Sequence, residues 1–242
     1  MKTATKKHFI ILCFCIFFMA SVAAQESVKI TYTVEQRVNF DSIKSAEVGG
    51  AFMLVNEVIS GFEFELLINE NGKSIFRKTE PMIEDYSQIE LYRLALGFSA
   101  GDEIWYTEKE NPEKSIYKND FENGPLLLAL KENVTWVISD ETKRIGEYKA
   151  KKASTTRKIG SFVEQIEVWF TSELSYSIGP LGYNGLPGLI LELKRDKVFY
   201  KFKKLEKIPI SIEPPKASKQ MSFDEYYLML ESRVAEIKKR GY

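Results

Sequence analysis

Beyond residue 24 this sequence has neither cysteine nor histidine: Cys13, Cys15 and the single histidine, His8, all fall within the first 24 positions. Each absence removes a class of chemistry. Without a thiol there is no disulfide and no cysteine nucleophile. Without an imidazole there is no Ser-His-Asp triad and no histidine to ligate zinc or haem iron. No cofactor or metal is expected on these grounds. An excess of one charge is also lacking, with 34 bases against 34 acids. Nucleic acid is therefore not an expected partner, because phosphate binding needs a basic excess or stripe.

The single long apolar run, Phe9 to Ala20, sits at the start. It follows Lys2, Lys6 and Lys7 and leads to the small residues Val22-Ala23-Ala24, the layout of a cleavable secretory signal. The run is shorter than the ~20 residues that span a bilayer. Neither cysteine follows a small residue, as a lipid-attachment cysteine would. The expectation is a signal peptide over 1–24 and one exported domain over 25–242, with no transmembrane segment after cleavage and a periplasmic or outer-envelope address. Removing the three signal lysines leaves 31 bases against 34 acids, a formal net charge of −3.

Alternation of period two dominates what remains. Val28, Ile30, Tyr32 and Val34 share one face, and Phe62, Phe64, Leu66 and Ile68 share another. Asn69-Glu70-Asn71-Gly72 makes a tight turn into Lys73–Lys78, since Asn and Gly tolerate positive φ. A second hairpin is expected at 104–108 and 115–119, and further strands at Thr135–Ser139, Gly146–Lys158 and Gln165–Thr171. A last hairpin joins Leu189–Lys194 to Val198–Lys203 through Arg195-Asp196-Lys197. Such alternation belongs to antiparallel sheets with one buried side. The fold class is mainly β (α+β), a curved antiparallel sheet or open half-barrel.

Two helices are expected. Ser222-Phe223-Asp224-Glu225 is an S-x-x-E capping box opening an amphipathic C-terminal helix with Tyr226, Tyr227, Leu230, Val234 and Ile237 at helical spacing. A weaker helix is expected from Met82 to Leu96.

The densest backbone signals lie late in the chain, in Gly179-Pro180-Leu181-Gly182-Tyr183-Asn184 and then Gly185-Leu186-Pro187-Gly188-Leu189-Ile190. Leu186-Pro187-Gly188-Leu189 fits a type II turn, with proline presetting φ and Gly188 accepting a positive φ. Gly185 would serve a second turn or a close approach. Trp169 stands on the polar side of its strand with Gln165 and Glu167. Either residues 175–188 fold across it, with Tyr183 or Leu181 on the ring, or it is an aromatic platform for a ligand.

Tyr148–Ala153, Val168-Trp169-Phe170-Thr171, Gly179-Pro180 and Gly185–Ile190 follow one another in an order that resembles the GLPGLI family of exported Gram-negative bacterial proteins. The resemblance spans about residues 130 to 205. It makes Trp169, Gly179, Pro180, Gly185, Leu186, Pro187, Gly188, Leu189 and Ile190 a structural motif and hands no catalytic role to any residue. Ala150 stands where family members often carry cysteine, so no redox or metal role carries over. The resemblance implies a fold like the periplasmic lipoprotein carriers, a sheet wrapped around one or two helices.

Three functional readings follow. The leading one is a non-enzymatic envelope protein binding an apolar ligand or lipid, or a partner protein. A carboxylate-dependent hydrolase is the second, using acids such as Glu63, Glu65, Asp102, Glu108 or Glu167. An assembly or accessory factor for outer-membrane transport proteins is the third. Asp41-Ser42-Ile43 also matches a short O-glycosylation pattern.

Overall fold

Among the described residues twelve strands form one open sheet, with β1 (Val28–Gln36) at its middle. On one side of β1 lie β2 (Glu63–Ile68), β3 (Lys73–Lys78), β4 (Glu103–Glu108), β5 (Asn111–Asp120) and β6 (Gly124–Lys131). On the other lie β11 (Val198–Lys207), β10 (Leu189–Arg195), β9 (Phe162–Thr171), β8 (Tyr148–Ile159) and β7 (Val137–Ile145). Neighbours run antiparallel except at one margin, where β12 (Lys219–Ser222) adds in parallel to β6. The computed structural model describes residues 26–37, 46–79, 89–109, 111–120, 122–159 and 162–239. The expected signal, 1–24, and the Asp41-Ser42-Ile43 pattern lie outside the described residues.

Local chemistry accounts for the turns. Gly72 has φ +73°, and the Asn69 side chain accepts from the N–H groups of Asn71 (3.1 Å) and Lys73 (3.0 Å). The turn between β10 and β11 places Asp196 at φ +52°. The sheet is curved: Phe76 of β3 and Tyr200 of β11, three strand positions apart, have ring centroids 5.5 Å apart. Tyr32, Phe64, Phe76 and Tyr200 pack into one aromatic cluster on this concave side, all buried.

There are three helices among the described residues, one more than the sequence pattern indicates. The first, α1 (Ala46–Ser60), buries Val55 and Ile59 but contains Gly49-Gly50 and leaves Met53 and Leu54 exposed, so no clean helical stripe marks it. The second, α2 (Ile89–Phe98), covers the later part of the expected Met82–Leu96 and runs two residues beyond it; positions 82–88 lie outside the described residues. The third, α3 (Phe223–Lys239), starts as its capping box requires. Glu225 N–H donates to Ser222 Oγ (3.2 Å), and Ser222 N–H donates to the Glu225 carboxylate (2.8 Å).

Several strand boundaries also move, with β5 starting at Asn111 rather than 115 and β9 at Phe162 rather than Gln165. The strand expected at Thr135–Ser139 begins at Val137 and runs to Ile145, and β8 starts at Tyr148 because Gly146, at φ +58°, makes the turn before it. Strands β6 and β12 lie outside the expected set. No helix among the described residues is long and apolar enough to cross a membrane.

Candidate functional site

The connection from β9 to β10, residues 172–188, leaves its own flank and crosses the concave side. A short 3-10 turn at Pro180–Gly182 packs against β3 and β4, separated from β10 in the sheet by β2, β1 and β11. The path depends on Leu181, buried and left-handed (φ +54°), and on Gly182 at φ +65°. A Cβ on Gly182 would come within 3.1 Å of the Thr107 methyl. Tyr32 donates its hydroxyl to the Ile190 carbonyl at 2.7 Å, fastening the returning chain to the central strand.

The motif residues divide by role. Gly179, Pro180, Leu186, Gly188, Leu189 and Ile190 are buried, whereas Gly185 and Pro187 are exposed. Gly179 has extended φ (−160°) and is demanded by space: a Cβ there would lie 2.4 Å from the Ile190 Cβ. Gly188 is demanded twice, by φ +147° and by the Thr171 carbonyl oxygen, 1.9 Å from where its Cβ would stand. Gly185, at φ +91°, lies beside Trp136, whose Nε1 donates to the Asn184 carbonyl at 2.8 Å.

The type II turn at Leu186–Leu189 is not formed. Gly188 N–H bonds the Leu186 carbonyl at 2.8 Å, closing a tighter three-residue turn around Pro187. The Leu189 N–H that a type II turn would use goes instead to the Leu174 carbonyl at 3.2 Å.

Trp169 is on the polar face of β9, as the alternation requires, opposite Lys152 of β8 and Glu192 of β10. The loop does not cover it. Leu181 and Tyr183 are buried on the concave side, and the half-buried Trp169 ring is covered by Lys143, whose Nζ is 4.4 Å from the ring centroid. Lys143 is held there by an ion pair to Glu192. The covering group comes from β7, which curls over the convex face beyond a register shift between Ile138 and Thr142.

Sequence reasoning missed the polar cluster that the loop caps. Lys114 of β5 is buried and bonds Glu132 at 3.2 Å; Glu132 in turn pairs with Arg157 of β8 at 3.3 Å. This chain joins the two flanks of the open sheet. Arg195 pairs with Glu164 at 3.3 Å nearby. Tyr183 enters the cluster from the loop, its ring 5.2 Å from Lys114 Nζ and 6.1 Å from the Trp136 ring. Burial pushes its hydroxyl up to about 12, with Arg157 and Arg195 pulling down and Glu164 and Glu132 pushing up. Burial lowers the Lys114 pKa against the opposing pull of Glu132. The available signal was parity: Lys114 and Lys118 share the face of Ile116, an unusual side for lysine.

Beside the loop an open groove of about 460 Å³ runs between it and the tips of the first hairpins. Ser74, Thr107, Asn111, Ser175, Ser177 and Asn184 line it, with Ile68 and Ile178 as apolar wall. The candidate acids lie elsewhere or are paired with bases. Glu65 meets Lys29 (3.0 Å) and Arg77 (2.8 Å), Asp102 meets Lys118 (2.6 Å), and Glu167 meets Lys152 (3.0 Å). Glu63 pairs with Lys203, and Glu108 lies 3.9 Å from Lys73 at the groove's edge. Among the described residues no group of His, Cys, Asp and Glu could hold a metal ion.

A family described as "Protein of unknown function (Porph_ging)" matches residues 161–192, the stretch from β9 through the motif into β10. No curated protein matches. Structures of PNGF-II in two crystal forms are similar at a TM-score of 0.50 and 18% identity, over 85% of this chain and 33% of theirs. The chain thus spans about a third of the length of those solved structures, and the likeness is one of fold.

Proposed function

We propose that this chain is a GLPGLI-type exported protein that works without catalysis, docking a segment of an envelope partner protein in the groove beside residues 175–185. The carrying observation is that the concave core is packed while a groove stays open beside the motif loop; a larger cavity of about 810 Å³, lined by charged residues such as Glu65, Arg77, Asp102 and Glu103, lies away from that loop. The concave side is occupied by Tyr32, Phe64, Phe76, Trp105, Tyr200 and Leu181, so an acyl chain would have to displace packed rings. The groove at its mouth is open and lined mostly by uncharged polar side chains, with Glu108 and Lys109 beside them, that a polypeptide segment can meet.

The GLPGLI assignment is supported by Gly185–Ile190 itself and by the family match at 161–192, which contains it. Export is supported by the signal-like residues 1–24. The absence of histidine and cysteine after residue 24 and the pairing of the candidate acids with bases favour binding over hydrolysis. An outer-membrane transport protein is one class of partner within this reading.

Native mass spectrometry of the protein purified from its own envelope, with organic extraction, tests the choice. A bare chain or a complex with a second polypeptide is expected. A stoichiometric lipid or other apolar adduct would overturn the partner reading in favour of a carrier.

A further inference from the structure

One wall of the groove beside residues 175–185 is main chain. Tyr176 N–H donates to the Leu174 carbonyl at 2.9 Å, and Ile178 N–H to the Tyr176 carbonyl at 2.8 Å. These are two successive three-residue turns, centred on Ser175 and Ser177. Neither serine has a positive φ, so both turns are of the inverse kind, with a central φ of about −75°. The segment is held from behind. The Leu174 and Ile178 carbonyls accept from the Leu189 (3.2 Å) and Ile190 (3.0 Å) N–H groups, and the Tyr176 hydroxyl donates to the Glu26 carbonyl at 3.3 Å.

Ser175 is exposed and makes no hydrogen bond among the described residues. Its N–H and C=O lie outside the ring that its turn closes, and its side chain lines the groove. Unbonded main chain beside an open groove is what an extended segment pairs with when it docks as an added strand. Opposite this wall, Ser74 and Thr107 bond to each other at 2.6 Å, and Ile68 supplies apolar surface. Charge is confined to the rim. Glu108 is engaged by the Tyr106 hydroxyl and lies 3.9 Å from Lys73, whereas Lys109 is exposed and makes no ion pair among the described residues.

We propose that the groove takes its partner as an extended polypeptide segment, read through the main chain at Ser175, with an acidic side chain of that segment meeting Lys109. This rests on the docking proposed for the same groove and adds the conformation and charge of what docks there.

The test is photo-crosslinking from position 184 in the envelope of the source cells, repeated in Ser175→Ala, Ser175→Pro and Lys109→Gln backgrounds. Alanine removes the hydroxyl and keeps the N–H. Proline removes the N–H, and its φ of about −65° suits the centre of an inverse turn, so the fold should hold. Recovery of the crosslinked protein should stay near the parent level in Ser175→Ala and fall about tenfold in Ser175→Pro. In Lys109→Gln it should fall about threefold. If Ser175→Pro melts earlier than the parent, Lys109→Gln, at an exposed position, decides. Equal recovery in folded Ser175→Ala and Ser175→Pro, or undiminished recovery in Lys109→Gln, would overturn the proposal while leaving the docking groove in place. No protein recovered from position 184 in the parent would remove both.

Discussion

Gly179 lies against Ile190 so closely that a methyl group on it would stand 2.4 Å from the Ile190 Cβ. The two residues are eleven apart in sequence and are drawn together by the bond from Ile190 N–H to the Ile178 carbonyl at 3.0 Å. The motif is thus a knot of close backbone approaches that carries Pro180–Tyr183 across the sheet.

The three motif glycines should therefore rank in cost when changed to alanine. Gly188→Ala meets backbone at 1.9 Å with φ at +147° and should cost about 3 kcal/mol or more. Gly179→Ala meets a side chain and should cost about 1–3 kcal/mol. Gly185→Ala meets only ordinary contacts but keeps φ +91°, for about 1–2 kcal/mol. Urea unfolding midpoints in that order support the geometry; a Gly188→Ala variant as stable as the parent contradicts it.

Tyr32→Phe removes the hydroxyl that reaches the Ile190 carbonyl and leaves that buried acceptor without this donor. A loss of about 1–2 kcal/mol is expected. Proteolysis should show earlier cleavage within 172–188 than in the parent chain. Unchanged stability and cleavage would mean the bond does not anchor the loop.

Asp120, at the end of β5, accepts from Asn123 (2.9 Å), Tyr226 (3.1 Å) and Arg233 (3.3 Å), tying α3 to the turn before β6. Burial raises its pKa, but these hydrogen bonds outweigh burial and hold it well below the usual carboxylate range. A carboxyl depressed on folding stabilises above its unfolded pKa of about 3.9, and the contribution fades as pH falls from there toward the folded value. The stability gap between the parent and Asp120→Asn should be full near neutrality and shrink below about pH 4. Denaturant melts showing a constant gap from neutral to acid pH would refute the linkage.

Lys143 over Trp169 gives an optical prediction. In a variant whose only tryptophan is Trp169, emission should lie between the buried and fully exposed limits. Lys143→Ala should shift it to the red, and Tyr183→Phe, on the other side of the sheet, should leave it unchanged. A shift with Tyr183→Phe alone would restore the idea of a loop over the ring.

What was legible in the sequence was whatever closed within a few residues. The capping box pairs Ser222 with Glu225, and the Asn69 turn ends at Gly72, so local spacing specified both. Alternation placed Trp169 on the convex face but could not name Lys143, brought there by a register shift in β7. Pro187-Gly188 suits two kinds of turn, and the distant Leu174 carbonyl decides between them. Trp136 falls in the irregular 132–136 stretch and not in the strand expected from Thr135, so alternation gives it no side. The polar cluster of Lys114, Glu132 and Arg157 forms only when flanks at opposite margins of the sheet curl together.

The groove beside the loop is the central claim, and site-specific photo-crosslinking in the envelope of the source cells tests it most directly. One photoreactive residue replaces Asn184 in the groove, and another replaces Lys194 on the convex face as a control. The account predicts the same protein recovered repeatedly from position 184 and not from 194. Equal recovery from both positions, or none from 184 while an apolar molecule travels with the chain, would contradict it.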